Sequence, residues 1–285
     1  MKPSMKFMLI FFLTGITLCA QDFPRLDPDP AALKYARAAA GNGAYTWIEL
    51  AEISFWASGD SAAGNAAPQG ALSGMEQIRA AAAELRTSLD LPRTERDRAE
   101  YILTYIHKKF LRSYSRNQTR LDTLIAGGRY NCVSSAVLYM ILARSCGLNV
   151  DGEMTKDHAF AVIRSANGSI DVETTSPLGF DPGSRREFND EFGRVTGFAY
   201  VPARNYRDRA AVSPVELVSL ILSNRISELE SRSRFAESVP LAIDRAALLG
   251  AINVSSSVLS RAADVPAGGD SPPPFFESPR RDVMN

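Results

Sequence analysis

The apolar positions in the middle of the chain predict two helices. Behind Thr94, apolar side chains recur at the i, i+3, i+4 spacing of an amphipathic helix, at Ala99, Ile102, Leu103, Ile106 and Phe110. Thr94, with Asp97 three residues later, is typical of a helix N-cap. A second helix is predicted over 133–145 and ends at Gly147. Apolar residues lie on nearly every face of this helix, so we expect it to be buried.

The pattern then changes from a helical to an alternating period. The apolar run 159–163 and the alternating stretch 169–173 predict two short strands. The asparagine–glycine pair at 167–168 is typical of a tight hairpin turn between them. Alternation along the second strand places Asp171 and Glu173 on the same face. A small antiparallel sheet is therefore expected next to the buried helix.

Helical segments and a polar tail are predicted around this centre. The alanine-rich region 21–93 is helical in character, and the core is expected over 94–210. The tail 262–285 lacks a periodic apolar pattern and contains three consecutive prolines at 272–274, so we expect it to be disordered.

A C-terminal helical extension is predicted over 211–261. Ser213 and Pro214 have the residue types of an N-cap and a first helical residue. The extension weakly resembles a tetratricopeptide-type helix pair at Asn224, Arg225, Leu229, Phe235 and the stretch 242–248. Pro240 lies within the second helix and is expected to kink or restart it. One such pair is too short for a stable array, so packing of both helices against the core is favoured.

The first twenty residues have the order of a secretory signal. Two lysines precede the apolar run 7–13, and small and apolar residues continue to Ala20. A stretch of about 14 mostly apolar residues is too short to span a bilayer, and no second stretch approaches the necessary length. We therefore predict export to the periplasm or cell envelope after cleavage behind Ala20. A lipid anchor at Cys19 is the alternative, disfavoured because Leu18 is a poor residue immediately before a lipidated cysteine.

Composition excludes several classes of partner and cofactor. The 32 basic residues balance the 32 acidic ones, so no field of one sign points to nucleic acid or an anionic membrane. The chain of 285 residues has two histidines, placed too differently for a zinc site, and it lacks a phosphate-binding glycine loop and a Cys-x-x-Cys pair. The prediction is a protein without metal or cofactor.

Cys132 is the candidate nucleophile. It follows a glycine break and opens the buried helix, and a helix N-terminus favours the thiolate, which is the nucleophilic form of cysteine. The first backbone N–H groups of that helix are suited to bind an oxyanion. Cys146 is expected to be a small core residue. If both cysteines lie on one helix, they are too far apart for the roughly 7 Å that a disulfide spans between Cα atoms.

His158 is the candidate base for Cys132. It starts the first predicted strand, and the hairpin would bring it close to the carboxylates of the second strand, where an acceptor could hold the imidazole tautomer. His107, beside Lys108 and Lys109, is interpreted as a solvated residue.

Four short motifs carry a resemblance to a known superfamily. They are YNCVSS at 130–135, CGL at 146–148, DHAF at 157–160 and IDVETT at 170–175. In this order they resemble the core of the transglutaminase-like superfamily, which is related to papain-like cysteine proteases. The resemblance covers about 60 of the 285 residues. Phe160 stands where the family often has tryptophan, which is a mild departure.

The resemblance implies a fold and a catalytic triad. The fold is α+β, with a transglutaminase-like (papain-like) core in which a Cys-led helix packs on a small antiparallel sheet, and with helical N- and C-terminal extensions. Cys132 would be the nucleophile and His158 the base. The family commonly has aspartate, any residue, threonine at the end of the second strand, which favours Glu173 as the residue that orients the imidazole. Asp171 remains the second candidate.

The implied activity is acyl transfer to or hydrolysis of an amide bond in a peptide, protein or peptidoglycan-type substrate. One alternative is a catalytically inactive envelope protein that uses the same fold as a binding module. Another is a buried core thiol at Cys132 with a satisfied strand histidine at His158. Rapid alkylation of Cys132 would separate an active site from both alternatives.

Overall fold

The computed structural model has an α+β fold and describes residues 24–42, 44–60, 72–88, 94–166, 168–182 and 209–250. The predicted signal at 1–20, the turn residue Asn167 and the predicted disordered tail lie outside the described residues. The helices, in chain order, are α1 Pro30–Asn42, α2 Trp47–Ala57, α3 Gly74–Ser88, α4 Glu95–Lys109, α5 Leu121–Gly127, α6 Cys132–Ser145, α7 Pro214–Ser231 and α8 Phe235–Leu248. The strands are β1 Ser113–Tyr114, β2 Arg129–Tyr130, β3 Val150–Met154, β4 Ala159–Ser165, β5 Gly168–Val172 and β6 Ala210–Val212.

Local sequence signals fix several helix ends. The predicted N-caps Thr94 and Ser213 are confirmed, because each forms a capping box with the third helical residue. Pro214 is the first residue of α7. Of the two outcomes expected at Pro240, a kink or a restart, the restart is wrong, since α8 continues through this residue. The carbonyl that Pro240 cannot bond is that of Ala236, an exposed residue where water can replace the missing N–H.

The core sheet is antiparallel, with strand order β5-β4-β3-β6. Both predicted strands are confirmed, as β4 and β5. The alternate residues Ala159, Ala161 and Ile163 of β4 are buried in the hydrophobic core that surrounds α6. Along α6 almost every residue is buried, as the apolar pattern predicts. The sheet therefore fixes the position of α6 and of its first residue, Cys132.

A separate two-stranded parallel sheet lies before α6. It pairs β1 with β2, so Tyr114 lies opposite Tyr130 in the register. Gly128 caps α5 in the left-handed conformation with φ of 73°, a conformation that glycine adopts without steric cost. This turn carries the chain from α5 into β2 and on to the start of α6.

The C-terminal helices pack against the rest of the protein. α7 contacts α8, α2, α6 and β3, and α8 contacts α1. Asp244 on α8 accepts hydrogen bonds from Arg25 over 2.6 Å and from the Asp29 backbone over 2.7 Å. These contacts agree with the packing favoured by the sequence. Within the described ranges, no helix combines the length and the apolar character needed to cross a bilayer.

Candidate active site

Cys132 is the first residue of α6, and its position follows from the cap before it. The Asn131 side chain accepts a hydrogen bond from the Ser134 N–H, and the Ser134 hydroxyl accepts one from the Asn131 N–H, each over 3.0 Å. As the first residue of an α-helix, Cys132 has a backbone N–H without an intrahelical acceptor. Its side chain is partly exposed and lines a cleft. A thiol and a helix N-terminus thus meet at the cleft surface.

His158 is held at the start of β4 by the turn that precedes it. The His158 carbonyl accepts a hydrogen bond from the Thr155 N–H over 2.8 Å. The imidazole Nε2–H donates to Oε2 of Glu173 over 2.5 Å. The ring stacks on Phe160 with centroids 6.1 Å apart. These contacts fix both the backbone and the ring of His158.

Glu173 is fully buried directly after β5. Its second carboxylate oxygen, Oε1, accepts hydrogen bonds from the Thr175 N–H over 3.1 Å and from the Thr175 hydroxyl over 2.7 Å. A buried carboxylate needs such partners, because desolvation of an unpaired charge costs several kcal/mol. Thr175 therefore holds Oε1 through two hydrogen bonds, which orients the carboxylate and leaves Oε2 for His158.

The charges around His158 favour its protonated form. Burial of the imidazole lowers its pKa, but the Glu173 carboxylate and the Cys132 side chain outweigh burial and raise the pKa of His158 above its usual range. Cys132 lines the same cleft as His158, and its side chain adds to the rise in this pKa. Because Nε2 is bonded to Glu173, the other ring nitrogen, Nδ1, is the one available to the thiol.

Asp171 has a different partner. Its carboxylate accepts a hydrogen bond from Arg209 Nη1 over 2.7 Å, and a second contact joins it to Nη2 of the same guanidinium. Arg209 also forms a salt bridge with Glu153 over 3.1 Å and lies 4.6 Å above the centroid of the Phe160 ring. The structure thus brings Cys132, His158 and Glu173 together and places Asp171 in an ion-pair network.

The interpretation of His107 as a solvated residue is wrong. Its Nε2–H donates to the Thr174 carbonyl over 3.1 Å, and its ring packs edge-on against Tyr130. Burial lowers the pKa of His107 to about 4, despite the opposing effect of the hydrogen bond to Thr174. The two lysines after His107 are exposed, but the helix turns the imidazole toward the residue that follows Glu173. His107 therefore supports the turn that holds the Glu173 carboxylate.

Acidification from pH 7 to pH 5 should destabilise the protein through His107. The unfolded state binds a proton at this residue near pH 6.5, whereas the folded state stays neutral to about pH 4, so stability falls as pH falls through this window. Each pKa unit corresponds to about 1.4 kcal/mol, which gives roughly 2 kcal/mol at pH 5.

His107→Gln keeps an N–H donor for the Thr174 carbonyl and removes the titration. Urea unfolding at both pH values should therefore show a smaller acid-induced loss for the variant, by roughly 2 kcal/mol. The raised pKa of His158 acts equally in both proteins and cancels. Equal losses in wild type and variant would show that His107 titrates normally.

The cleft beside Cys132, here called the thiol cleft, has a volume of about 540 Å³. Its lining includes Cys132, His158 and Tyr114, together with residues from one face of α7. Sequence patterns missed both Tyr114 and the α7 residues. A strand of two residues is too short to show an alternating pattern. The polar positions of α7 follow the pattern of a solvent-exposed helix face, which does not distinguish a binding site. Only the β1–β2 pairing and the packing of α7 bring them to Cys132.

Both cysteines that the structure describes, Cys132 and Cys146, are thiols rather than a disulfide. Cys146 follows the far end of α6, where burial raises its pKa and the Ser145 hydroxyl lies 3.8 Å from its sulfur. It thus provides an internal reference for the reactivity of Cys132. Across the described ranges, no group of three His, Cys, Asp or Glu side chains is arranged to hold a metal.

No protein-family model and no curated protein matches the chain. Among solved structures, the chain is similar to menin, whose crystal structure is described as revealing the binding site for the Mixed Lineage Leukemia (MLL) protein. The TM-score is 0.51 at 14% sequence identity, over 88% of this chain and 59% of the menin chain. At this identity the likeness concerns the fold alone. The chain thus corresponds to less than two thirds of the length of menin.

Proposed function

We propose that this protein is an exported thiol enzyme with a transglutaminase-like core that cleaves or transfers amide or peptide bonds. The observation that carries the proposal is the Nε2–Oε2 contact of 2.5 Å between His158 and the buried Glu173, in a cleft that Cys132 also lines. A carboxylate behind an imidazole that contacts a thiol is the arrangement used to activate a cysteine nucleophile. The motif order at 130–175 and the signal-like first twenty residues support the family and the export.

In the proposed reaction, the Cys132 thiolate attacks the carbonyl carbon of the amide and forms a C–S bond. The imidazolium of His158 donates its proton to the departing amine as the C–N bond breaks, leaving a thioester. Water or a second amine then attacks the thioester while the neutral imidazole takes its proton, and the sulfur leaves as thiolate. Glu173 keeps the ring oriented and stabilises its charged form in both steps.

Two donors would stabilise the tetrahedral oxyanion. One is the backbone N–H of Cys132 at the start of α6, and the second is the hydroxyl of Tyr114, which also lines the thiol cleft. Burial and the charges of Cys132 and Glu173 raise the pKa of Tyr114, so its hydroxyl remains a donor at neutral pH. Tyr130 packs edge-on against the Tyr114 ring, with centroids 5.8 Å apart, and holds it in place.

Alkylation by iodoacetamide tests the proposal. At pH 6, Cys132 should react at least about tenfold faster than Cys146, because a neighbouring imidazolium and a helix N-terminus favour the thiolate. His158→Ala should abolish this difference. Mass spectrometry of tryptic peptides follows both thiols in one sample, so Cys146 is the control within the molecule. Equal, slow labelling of both cysteines would reject the enzyme.

A non-catalytic binding module is the second candidate function. The likeness to menin favours it, because the menin structure is described by its binding site for another protein. In that case the thiol cleft would take a protein segment without turnover. Slow labelling of Cys132, together with peptide binding that survives Cys132→Ser, would support this candidate over the enzyme.

A further inference from the structure

The thiol cleft has a wall formed by α7, which lies outside the segment that resembles the transglutaminase-like core. Leu220, Asn224, Ser227 and Ser231 line the cleft at intervals of four, three and four residues, which places them on one face of the helix. The core-facing side of α7 carries buried apolar residues such as Leu217, Ile221 and Ile226. One helix therefore packs on the core with one side and borders the cleft with the other.

This wall is fixed in place before any ligand arrives. The Asn224 side-chain amide donates to the Thr119 hydroxyl over 3.1 Å. The next residue, Arg225, donates to the Ala57 carbonyl at the end of α2 over 2.5 Å. With the apolar side of α7 buried as well, the helix cannot swing away from the cleft without breaking core contacts. Preformed walls of this kind lower the entropy cost of binding.

The dimensions of the wall suit an extended peptide. From residue 220 to residue 231, α7 rises roughly 16 Å at 1.5 Å per residue. An extended chain advances about 3.3 Å per residue, so this length corresponds to about five residues. The cleft volume of about 540 Å³ lies within the usual range of ligand sites and exceeds the needs of a single amino-acid amide.

The chemistry of the wall suits the main chain of a peptide rather than a charged side chain. Asn224 and Ser227 carry amide and hydroxyl groups that both donate and accept, as the backbone N–H and C=O groups of an extended peptide require. The Ser231 hydroxyl donates to the Glu228 carbonyl over 2.8 Å, and its oxygen can still accept from a peptide N–H. The two charged residues of α7 at the cleft, Glu228 and Arg232, are paired with each other over 2.7 Å. Neither sign of charge dominates this wall.

We propose that the thiol cleft takes an extended peptide segment of about five residues along α7 and recognises it mainly through its main chain. The inference deepens the proposed function and rests on it for the position of the reacting carbonyl next to Cys132. It assigns the C-terminal helix pair a role in substrate selection. Asn224, Ser227 and Ser231 act as binding residues, and no catalytic step is assigned to them.

Bromoacetyl-alanine amides with one, three, five and seven alanines test the inference without knowledge of the natural substrate. Each reagent alkylates Cys132 as the thiolate forms a C–S bond and bromide leaves. Alanine peptides are used because they offer the main chain and only methyl side chains for binding. The second-order rate should rise at least about tenfold from one to five alanines and then level off, a change of about 1.4 kcal/mol. A rate independent of length would overturn the inference.

A matched pair of variants locates the contact. Ser227→Trp places an indole in the thiol cleft and should reduce the five-alanine rate to that of the one-alanine reagent. Ala236→Trp, at an exposed position of α8 outside the cleft lining, should keep the wild-type profile. Circular dichroism and the Tm establish that each variant is folded. An unchanged length profile in folded Ser227→Trp would exclude α7 as the binding wall.

The same experiments separate failure of the inference from failure of the enzyme. If iodoacetamide labels Cys132 and Cys146 equally while the length dependence persists, the acyl-transfer proposal fails and the peptide cleft remains. If Cys132 is selectively activated by His158 but shows no length dependence, the thiol site remains and the α7 wall is excluded.

Discussion

Glu173→Gln should remove the selective alkylation of Cys132. The charge of Glu173 is the largest influence that raises the pKa of His158, so its removal lowers this pKa and weakens the imidazolium that we propose as the partner of Cys132. We expect the iodoacetamide rate of Cys132 at pH 6 to fall at least about tenfold. Any acyl-transfer activity should fall by about 10³–10⁴-fold, the scale seen when the carboxylate behind a catalytic histidine is replaced by an amide.

Asp171→Asn is the matched control, because it makes the same chemical change two residues away. Asp171 pairs with Arg209. Its side chain is 13% exposed and that of His158 is 10% exposed, so the two are about equally buried. Its replacement weakens a charged hydrogen-bond pair, so the free energy of unfolding should fall by about 2 kcal/mol. The alkylation rate of Cys132 should remain within about twofold of wild type. Loss of alkylation in Asp171→Asn but not in Glu173→Gln would reverse the assignment of the orienting residue.

Gly179→Ala should destabilise the protein by at least about 3 kcal/mol. A Cβ atom at this position would lie 1.9 Å from the carbonyl oxygen of Glu173 and 3.0 Å from its Cβ. The obstacle is backbone, which cannot rotate away as a flexible side chain can. The Gly179 carbonyl also accepts the Glu173 N–H over 2.7 Å, so any shift breaks this bond. Relief of the clash therefore displaces the Glu173 carboxylate.

Thermal unfolding and Cys132 alkylation measure the two consequences of Gly179→Ala. The Tm should fall by about 10 °C, and the selective alkylation should be lost in the protein that remains folded. Gly127→Ala is the control, because Gly127 is the last residue of α5 and a Cβ there meets no atom within 4 Å. It should leave the Tm unchanged or raise it, since alanine is favoured over glycine in a helix by about 0.5–1 kcal/mol. A Gly179→Ala protein with an unchanged Tm and unchanged Cys132 alkylation would show that the turn has room for the added Cβ atom.

The turn 173–176 receives support from three other parts of the fold. The Ser135 and Thr174 hydroxyls, on α6 and in the turn, lie 2.8 Å apart. His107 on α4 donates to the Thr174 carbonyl, and the Tyr130 hydroxyl donates to the Thr175 carbonyl over 3.3 Å. Each contact limits the freedom of the chain that carries Glu173. A carboxylate held in this way needs little rearrangement to orient the imidazole, which is the property that an activated thiol requires.

Local sequence patterns were sufficient to predict the elements that position Cys132 and His158. The glycine break and the apolar run predicted α6, the alternation predicted β4 and β5, and the N-cap patterns predicted the starts of α4 and α7. These features depend on residues within a few positions of one another, so periodicity and capping chemistry are sufficient to read them.

The partners of these side chains depend on how distant segments pack together. Alternation along the predicted strand puts Asp171 and Glu173 on one face and does not separate them, but Arg209 engages the first and His158 the second. His107 follows the pattern of a solvated residue next to lysines and yet lies against the Glu173 turn. The α7 wall of the thiol cleft is likewise separated from Cys132 by a long stretch of chain. Such choices depend on distances and desolvation between segments that are remote in sequence, and no local pattern encodes them.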